Sequence, residues 1–133
     1  MKTINNKLRF SIWAIFAFLY IGDICSQTFV CTDMNYYDSD LSDKRIQEEK
    51  VKTLGSKAVL SLFDKNLKIT LTDNDGETHS FVLDRISDNE YQMIERRRKM
   101  KIKLVKLIGY IRTLTIEVYK DDQLSGNVLY KRE

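Results

Sequence analysis

The 133-residue chain contains no proline, a single histidine, a single tryptophan and only two cysteines. One histidine with so few cysteines cannot supply a familiar zinc site, which needs four ligands, or three and a water. No Asn-x-Ser/Thr acceptor site is present, so nothing indicates a glycosylated secretory protein, and a bacterial source fits better. The absence of proline is compatible with long β-ladders.

Catalytic and calcium-binding motifs are also missing. The chain has no Gly-x-Ser-x-Gly elbow, and no two carboxylates are spaced for acid–base work. Acidic residues flank Gly76, but aligning it with the invariant glycine of a calcium loop puts Leu71 and Val82 at positions that require Asp and Glu. We therefore expect no cofactor and no metal, and this segment is predicted to be a hairpin turn.

Apolar residues are concentrated at the start of the chain, where they occupy 16 of the first 26 positions against 41 of the remaining 107. Lys2, Lys7 and Arg9 precede an apolar run from Phe10 to Ile21 that only Ser11 interrupts. This order is typical of a secretory signal, and the run is shorter than the roughly 20 residues of a spanning helix. We predict a signal peptide over residues 1–26, cleavage before Gln27, and export to the periplasm or the cell exterior.

Two alternatives to cleavage stay open, an uncleaved anchor and a lipoprotein attached at Cys25. Cleavage before Gln27 leaves Cys31 as the only cysteine, so an intramolecular disulfide is then impossible. Cys31 follows Phe29 and Val30, which favours burial over an intermolecular link. The fold must then be stabilised by its hydrophobic core alone. We expect no membrane span in the mature chain.

Residues 27–133 show no repeat, linker or low-complexity tract, and about 107 residues correspond to one domain. Residues 28–34 are predicted to form an opening strand. Ser42 is a candidate N-cap and Gly55 a candidate C′ residue, so a short surface helix is expected at about 42–54. Strands are predicted from Lys57 onward, where the pattern becomes alternating.

The turn at Asn74-Asp75-Gly76 allows two registers for the flanking strands. A two-residue loop would place Leu71 opposite Ser80 and Leu67 opposite Asp84. A three-residue loop with Gly76 in the left-handed region joins more apolar pairs. This register, which we prefer, pairs Leu67 with Leu83, Ile69 with Phe81, and Leu71 with His79.

Residues 96–108 fit either a strand or a helix, and the strict alternation from Met100 to Leu104 favours a strand. The pattern then amounts to about eight short strands with connections too short for parallel crossovers. The predicted fold class is mainly β: a small antiparallel meander with one short surface helix. A sheet of this size closes into a barrel or folds into a sandwich, and both stay open.

The strongest charge feature is a basic run that places seven cations in eleven residues, Arg96, Arg97, Arg98, Lys99, Lys101, Lys103 and Lys106. In a strand, the lysines at 99, 101 and 103 share one face, and the arginines form the turn before it. This surface is a candidate polyanion contact, with weak binding expected, or a charged face that protects against aggregation. Aromatic residues that would stack on bases are absent from this run.

His79 is the second candidate site residue. In the preferred register it lies on the inner face beside the hairpin end, where it is a candidate for lining a cavity mouth. It is equally explained as a polar residue that completes a strand.

The chain resembles small exported bacterial proteins with a lipocalin-like β-barrel. The resemblance rests on the signal peptide, on the hairpin at Asn74-Asp75-Gly76, and on the series of short strands ending in Val128-Leu129-Tyr130-Lys131. It implies a barrel that binds a ligand or partner. The Gly-x-Trp signature of lipocalins is absent, so no functional residue is transferred.

We therefore expect a non-enzymatic binding module for a small apolar ligand or a cell-envelope partner. The alternative is an interaction or inhibitor protein that works through its surface and has no cavity. An unrecognised hydrolase with His79 as its base is a third, more remote hypothesis.

Overall fold

The computed structural model describes residues 26–38 and 40–133. The predicted signal peptide lies outside these ranges except for Ser26, as does Cys25. Within the described residues, no helix has the length and apolar character needed to cross a membrane.

Eight antiparallel strands form a closed barrel in which every strand pairs with its neighbour in sequence and β8 pairs with β1. The fold class is therefore as predicted, and the closed barrel is compatible with a lipocalin-like architecture. The elements are β1 (Ser26–Tyr36), α1 (Asp43–Thr53), β2 (Lys57–Leu62), β3 (Asn66–Thr72), β4 (Thr78–Ser87), β5 (Glu90–Glu95), β6 (Arg98–Leu107), β7 (Tyr110–Lys120) and β8 (Gln123–Arg132).

The β3–β4 hairpin has the register that the apolar pairing predicts. Leu67 is opposite Leu83, Ile69 opposite Phe81 and Leu71 opposite His79. Gly76 has a φ of +88°, a left-handed conformation that glycine adopts without steric cost. Asp73 accepts hydrogen bonds from the backbone N–H groups of residues 75 and 77, both at 2.9 Å, and these bonds stabilise the turn.

The ambiguous segment forms a strand, β6, and the preference for strand over helix is confirmed. Residues 98–103 pair with β5 on one side, and the whole strand pairs with β7 on the other. Its alternate residues Ile102 and Leu104 are buried, while Lys101 and Lys103 occupy the outward positions.

The last strand contains a glycine flanked by two polar residues. Ser125-Gly126-Asn127 resembles a turn in sequence, but it lies inside β8, which starts at Gln123. Gly126 is buried between β7 and β1. A Cβ at this position would lie 2.9 Å from the carbonyl oxygen of Asn35, so the glycine permits a close approach of two strands.

The barrel interior is filled by side chains. Seven large ones are completely buried, namely Phe29, Leu60, Leu67, Ile69, Leu83, Ile102 and Leu114. Ala58, Cys31, Tyr91, Leu104, Ile111, Ile116 and Tyr130 complete the core cluster. Eight-stranded barrels are narrow enough for side chains to fill them in this way.

The helix α1 lies at one end of the barrel, within the predicted range of 42–54. The Ser42 hydroxyl caps it by accepting from the N–H of Arg45 at 3.2 Å. The β3–β4 turn holds its other end, because the Asn74 side chain donates to the carbonyls of Val51 and Leu54, both at 2.8 Å.

The two barrel ends differ in what they carry. The helix end comprises α1 and the β3–β4, β5–β6 and β7–β8 turns. The N-terminal end comprises the first residue of β1, the last of β8, and the β2–β3, β4–β5 and β6–β7 turns.

Candidate functional site

The predicted basic run begins in the β5–β6 turn, at the helix end, and continues along β6 as far as Lys106, near the other end of the barrel. Arg96 has a φ of 58°, in the left-handed region that this tight turn requires. Arg98 begins β6, and Lys99, Lys101 and Lys103 alternate with inward-facing residues along it. The lysines therefore share the outer face of the barrel.

Neighbouring strands partly neutralise or cover these strand lysines. The Lys103 ammonium lies 3.4 Å from a carboxylate oxygen of Glu117, the residue that is paired with Lys101 across β7. The Lys99 ammonium stands 4.7 Å from the centre of the Tyr119 ring. The outer face of β6 thus has less free positive charge than its sequence indicates.

The turn cations are arranged differently. The Arg97 Nε donates to the Asp121 carboxylate at 2.5 Å, and the Arg97 carbonyl accepts from the N–H of Asp121 at 2.9 Å. These bonds connect the β5–β6 turn to the β7–β8 turn. They also bring Lys120 beside the arginine cluster.

A cleft of about 560 Å³ lies between the two turns. Its lining consists of Glu95, Arg96, Arg97, Arg98, Lys120 and Asp121. Among the described residues, Arg96, Arg98 and Lys120 have no ion-pair partner, whereas the Asp121 carboxylate is already bound to Arg97. We call this group the basic cleft.

Tyr119 precedes Lys120 of the basic cleft along β7. Its hydroxyl donates to Glu117 at 3.0 Å, which orients the carboxylate toward Lys103. Desolvation raises the pKa of Tyr119, and the hydrogen bond to Glu117 raises it further, so the phenol is protonated at neutral pH.

His79 lies where the register places it, at the barrel mouth on the helix end. It lines a cavity of about 270 Å³ together with Ser56 and Tyr130, and residues of α1 cover one side. The imidazole is largely exposed, with Nε2 3.8 Å from a Glu77 carboxylate oxygen. A ligand-binding role for His79 stays a prediction.

The floor of this mouth cavity is polar and buried. Burial raises the pKa of Tyr130, so its phenol remains protonated. Ser56 lines the same cavity, and its hydroxyl donates to the Thr53 carbonyl at 2.5 Å. Cys31 is 3 % exposed, so the prediction that this cysteine is buried is confirmed. Burial raises the pKa of its thiol.

The arrangement of His79 and Ser80 does not provide a nucleophile and its base. Adjacent strand residues face opposite sides, and the Ser80 hydroxyl is hydrogen-bonded to Thr70 at 3.0 Å on the outer face. Over residues 26–38 and 40–133, no group of three His, Cys, Asp or Glu side chains is placed to hold a metal ion.

No protein-family model, curated protein or solved structure matches the chain.

Sequence reasoning identified the arginines of the basic cleft but missed Lys120 and Asp121. These two residues are more than twenty positions away and resemble an ordinary turn. Only the pairing of β6 with β7 brings them beside Arg97.

Proposed function

We propose that the protein is an exported, non-enzymatic binding module that binds an acidic glycan of the cell envelope in the basic cleft. The observation that carries the proposal is the convergence of Arg96, Arg98 and Lys120, all without ion-pair partners among the described residues, on one cleft. Such a cluster concentrates positive potential and attracts anionic groups. We also propose that the protein is bacterial and lipocalin-like.

The closed interior supports an outer binding surface. A ligand inside the barrel would have to displace core side chains such as Phe29 and Ile69, which are fully buried. Displacing packed core residues is costly, because interiors are as dense as organic crystals. A surface cleft requires no such rearrangement.

The chemistry of the basic cleft favours a glycan over single-stranded nucleic acid. Single-strand binding combines cations with aromatic faces on which bases stack. Tyr119 is the aromatic residue next to the basic run, and the Lys99 ammonium already covers its ring. Carboxylates or sulfates on a sugar chain need only the cations.

The arginines suit this role by their geometry. A guanidinium presents a planar fork of N–H groups that binds a carboxylate or sulfate through two parallel hydrogen bonds. The ion pair between Arg97 and Asp121 holds the two turns together. Arg98 and Lys120 are paired across β6 and β7, so both line the same cleft.

The test is the salt dependence of binding to oligogalacturonate, a carboxylate-bearing glycan. We expect Arg96→Gln/Arg98→Gln/Lys120→Gln to flatten the log–log salt slope by about two to three units, because each lost contact removes roughly 0.7–0.9 by analogy with nucleic acids. The fold should be retained, since all three side chains are exposed. Affinity can be measured by fluorescence anisotropy of labelled oligosaccharide across a salt series.

The matched control removes three exposed cations elsewhere, with Lys44→Gln/Lys68→Gln/Lys131→Gln. It changes net charge by the same amount and should leave the slope nearly unchanged. Equal flattening by both triple variants would contradict a defined site. Tighter binding of single-stranded DNA than of oligogalacturonate would contradict the choice of partner.

A further inference from the structure

The β6–β7 hairpin tip, residues 105–112, protrudes from the N-terminal end of the barrel. The N–H of Leu104 donates to the Asn89 carbonyl at 2.8 Å, and beyond this point β6 is paired only with β7. On the other side, Thr113 is the first β7 residue paired with β8. The tip is therefore a two-stranded extension of the sheet.

One face of this tip belongs to the core, and the other faces outward. Ile111 is 3 % exposed and closes the barrel, whereas the Ile108 side chain is fully exposed, at 101 %. Val105, Leu107 and Tyr110 are also exposed. Nothing in barrel packing requires these apolar side chains at a solvent-facing turn, and exposed apolar clusters commonly mark contact surfaces.

Cations surround the apolar tip. Lys106 and Arg112 lie on its two strands, and the Arg132 guanidinium is 5.3 Å from the centre of the Tyr110 ring. Two carboxylates of this end are already paired, that of Asp88 with Arg85 and that of Glu133 with Lys57. Lys106 donates to the Asp88 carbonyl at 3.1 Å, and none of these three cations has a carboxylate partner among the described residues. This end therefore combines exposed apolar groups with cations whose charge is not neutralised.

That combination fits the surface of an anionic bilayer. Apolar side chains enter the boundary between headgroups and acyl chains, and lysine or arginine contacts lipid phosphates. Tyrosine is favoured at this interface, because its ring is apolar and its hydroxyl polar. A water-soluble glycan would use the cations but not Ile108.

The same end of the barrel is the one that follows the N-terminal apolar run. β1 begins at Ser26 on the N-terminal end, where Ser26 is paired with Ser61. Four residues separate the apolar run, which ends at Ile21, from Ser26, so the two positions can be at most about 18 Å apart. During export, or in a chain that keeps this run, the tip is therefore held close to the bilayer.

We propose that the β6–β7 tip docks on an anionic lipid bilayer, with Ile108 entering the interface and Lys106 and Arg112 contacting lipid phosphates. The basic cleft lies at the other end, separated by a strand of ten residues, or up to about 33 Å. It therefore faces away from the bilayer.

The experiment uses single-tryptophan reporters in the full chain with Trp13→Phe as background. Ile108→Trp reports on the tip, and Tyr37→Trp, at an exposed residue of the helix end, is the matched control. Vesicles contain brominated phosphatidylglycerol, which quenches tryptophan in the bilayer. We expect blue-shifted, bromine-quenched emission from Ile108→Trp and unchanged, water-like emission from Tyr37→Trp.

Reporter position separates the tip from any binding by the N-terminal segment. Equal quenching at the two positions, or water-like emission from Ile108→Trp on vesicle-bound protein, would overturn the proposal. Ile108→Ser should lower vesicle affinity about tenfold if much of its side chain is buried in lipid. Lys106→Gln/Arg112→Gln should reduce binding to phosphatidylglycerol vesicles. The control Lys44→Gln/Lys68→Gln should not reduce it. Equal losses of binding in the two double variants would also overturn the proposal.

Discussion

Replacing Phe29 by alanine is expected to lower the free energy of unfolding by about 3–5 kcal/mol, the range typical of a buried aromatic residue. Phe29 is completely buried, and it lies on β1, where the barrel closes between β2 and β8. The free energy of unfolding falls for two reasons. The variant buries less apolar surface, and it leaves a cavity that the paired strands around it cannot close. Against a typical total stability of about 5–15 kcal/mol, the variant would be marginal.

Urea unfolding followed by circular dichroism measures this effect. Thr28→Ala is the control on the same strand, and it should change stability by less than about 0.5 kcal/mol at a half-buried outer position. A loss below about 1 kcal/mol for Phe29→Ala would mean that this part of the interior is not closely packed.

Gly126→Val is expected to cost about 1–3 kcal/mol, even though valine favours strands. Its Cβ would lie 2.9 Å from the Asn35 carbonyl oxygen, and a backbone atom in a paired strand cannot move aside as a flexible side chain can. The strain would fall on the contact between β8 and β1, which closes the barrel.

Leu129→Val, on the same strand and half-buried, is the control and should be nearly neutral. Thermal unfolding of the two variants checks the difference. An unchanged unfolding midpoint for Gly126→Val would show that the two strands are further apart than described.

Alternation of apolar residues made most of the barrel predictable. Two registers were possible around Gly76, and only one joined Leu67 to Leu83 and Ile69 to Phe81, as the structure has it. A shift by one residue would turn the apolar set of a strand toward solvent, so the core selects the register.

Features that depend on contacts distant in sequence were not predictable. Gly126 resembles a turn glycine until β1 is placed beside it. Asn74 resembles a turn residue, yet its side chain binds the last turn of α1. The pairing of Arg97 with Asp121 depends on two turns that only the closed sheet brings together.

The two proposals assign different tasks to the two ends of the barrel. The basic cleft, at the helix end, is lined by charged side chains, whereas the tip has exposed apolar side chains beside cations. The glycan experiment and the vesicle experiment test these ends separately, because no residue is changed in both test variants.

The central claim is that the barrel interior is filled by its own side chains and that binding takes place on the outside. Native mass spectrometry of the chain isolated from its own host tests this most directly. In concentrated ammonium acetate, which releases salt-sensitive glycans, we predict the mass of the polypeptide alone. A stoichiometric apolar molecule that stays bound until the protein unfolds would contradict the claim.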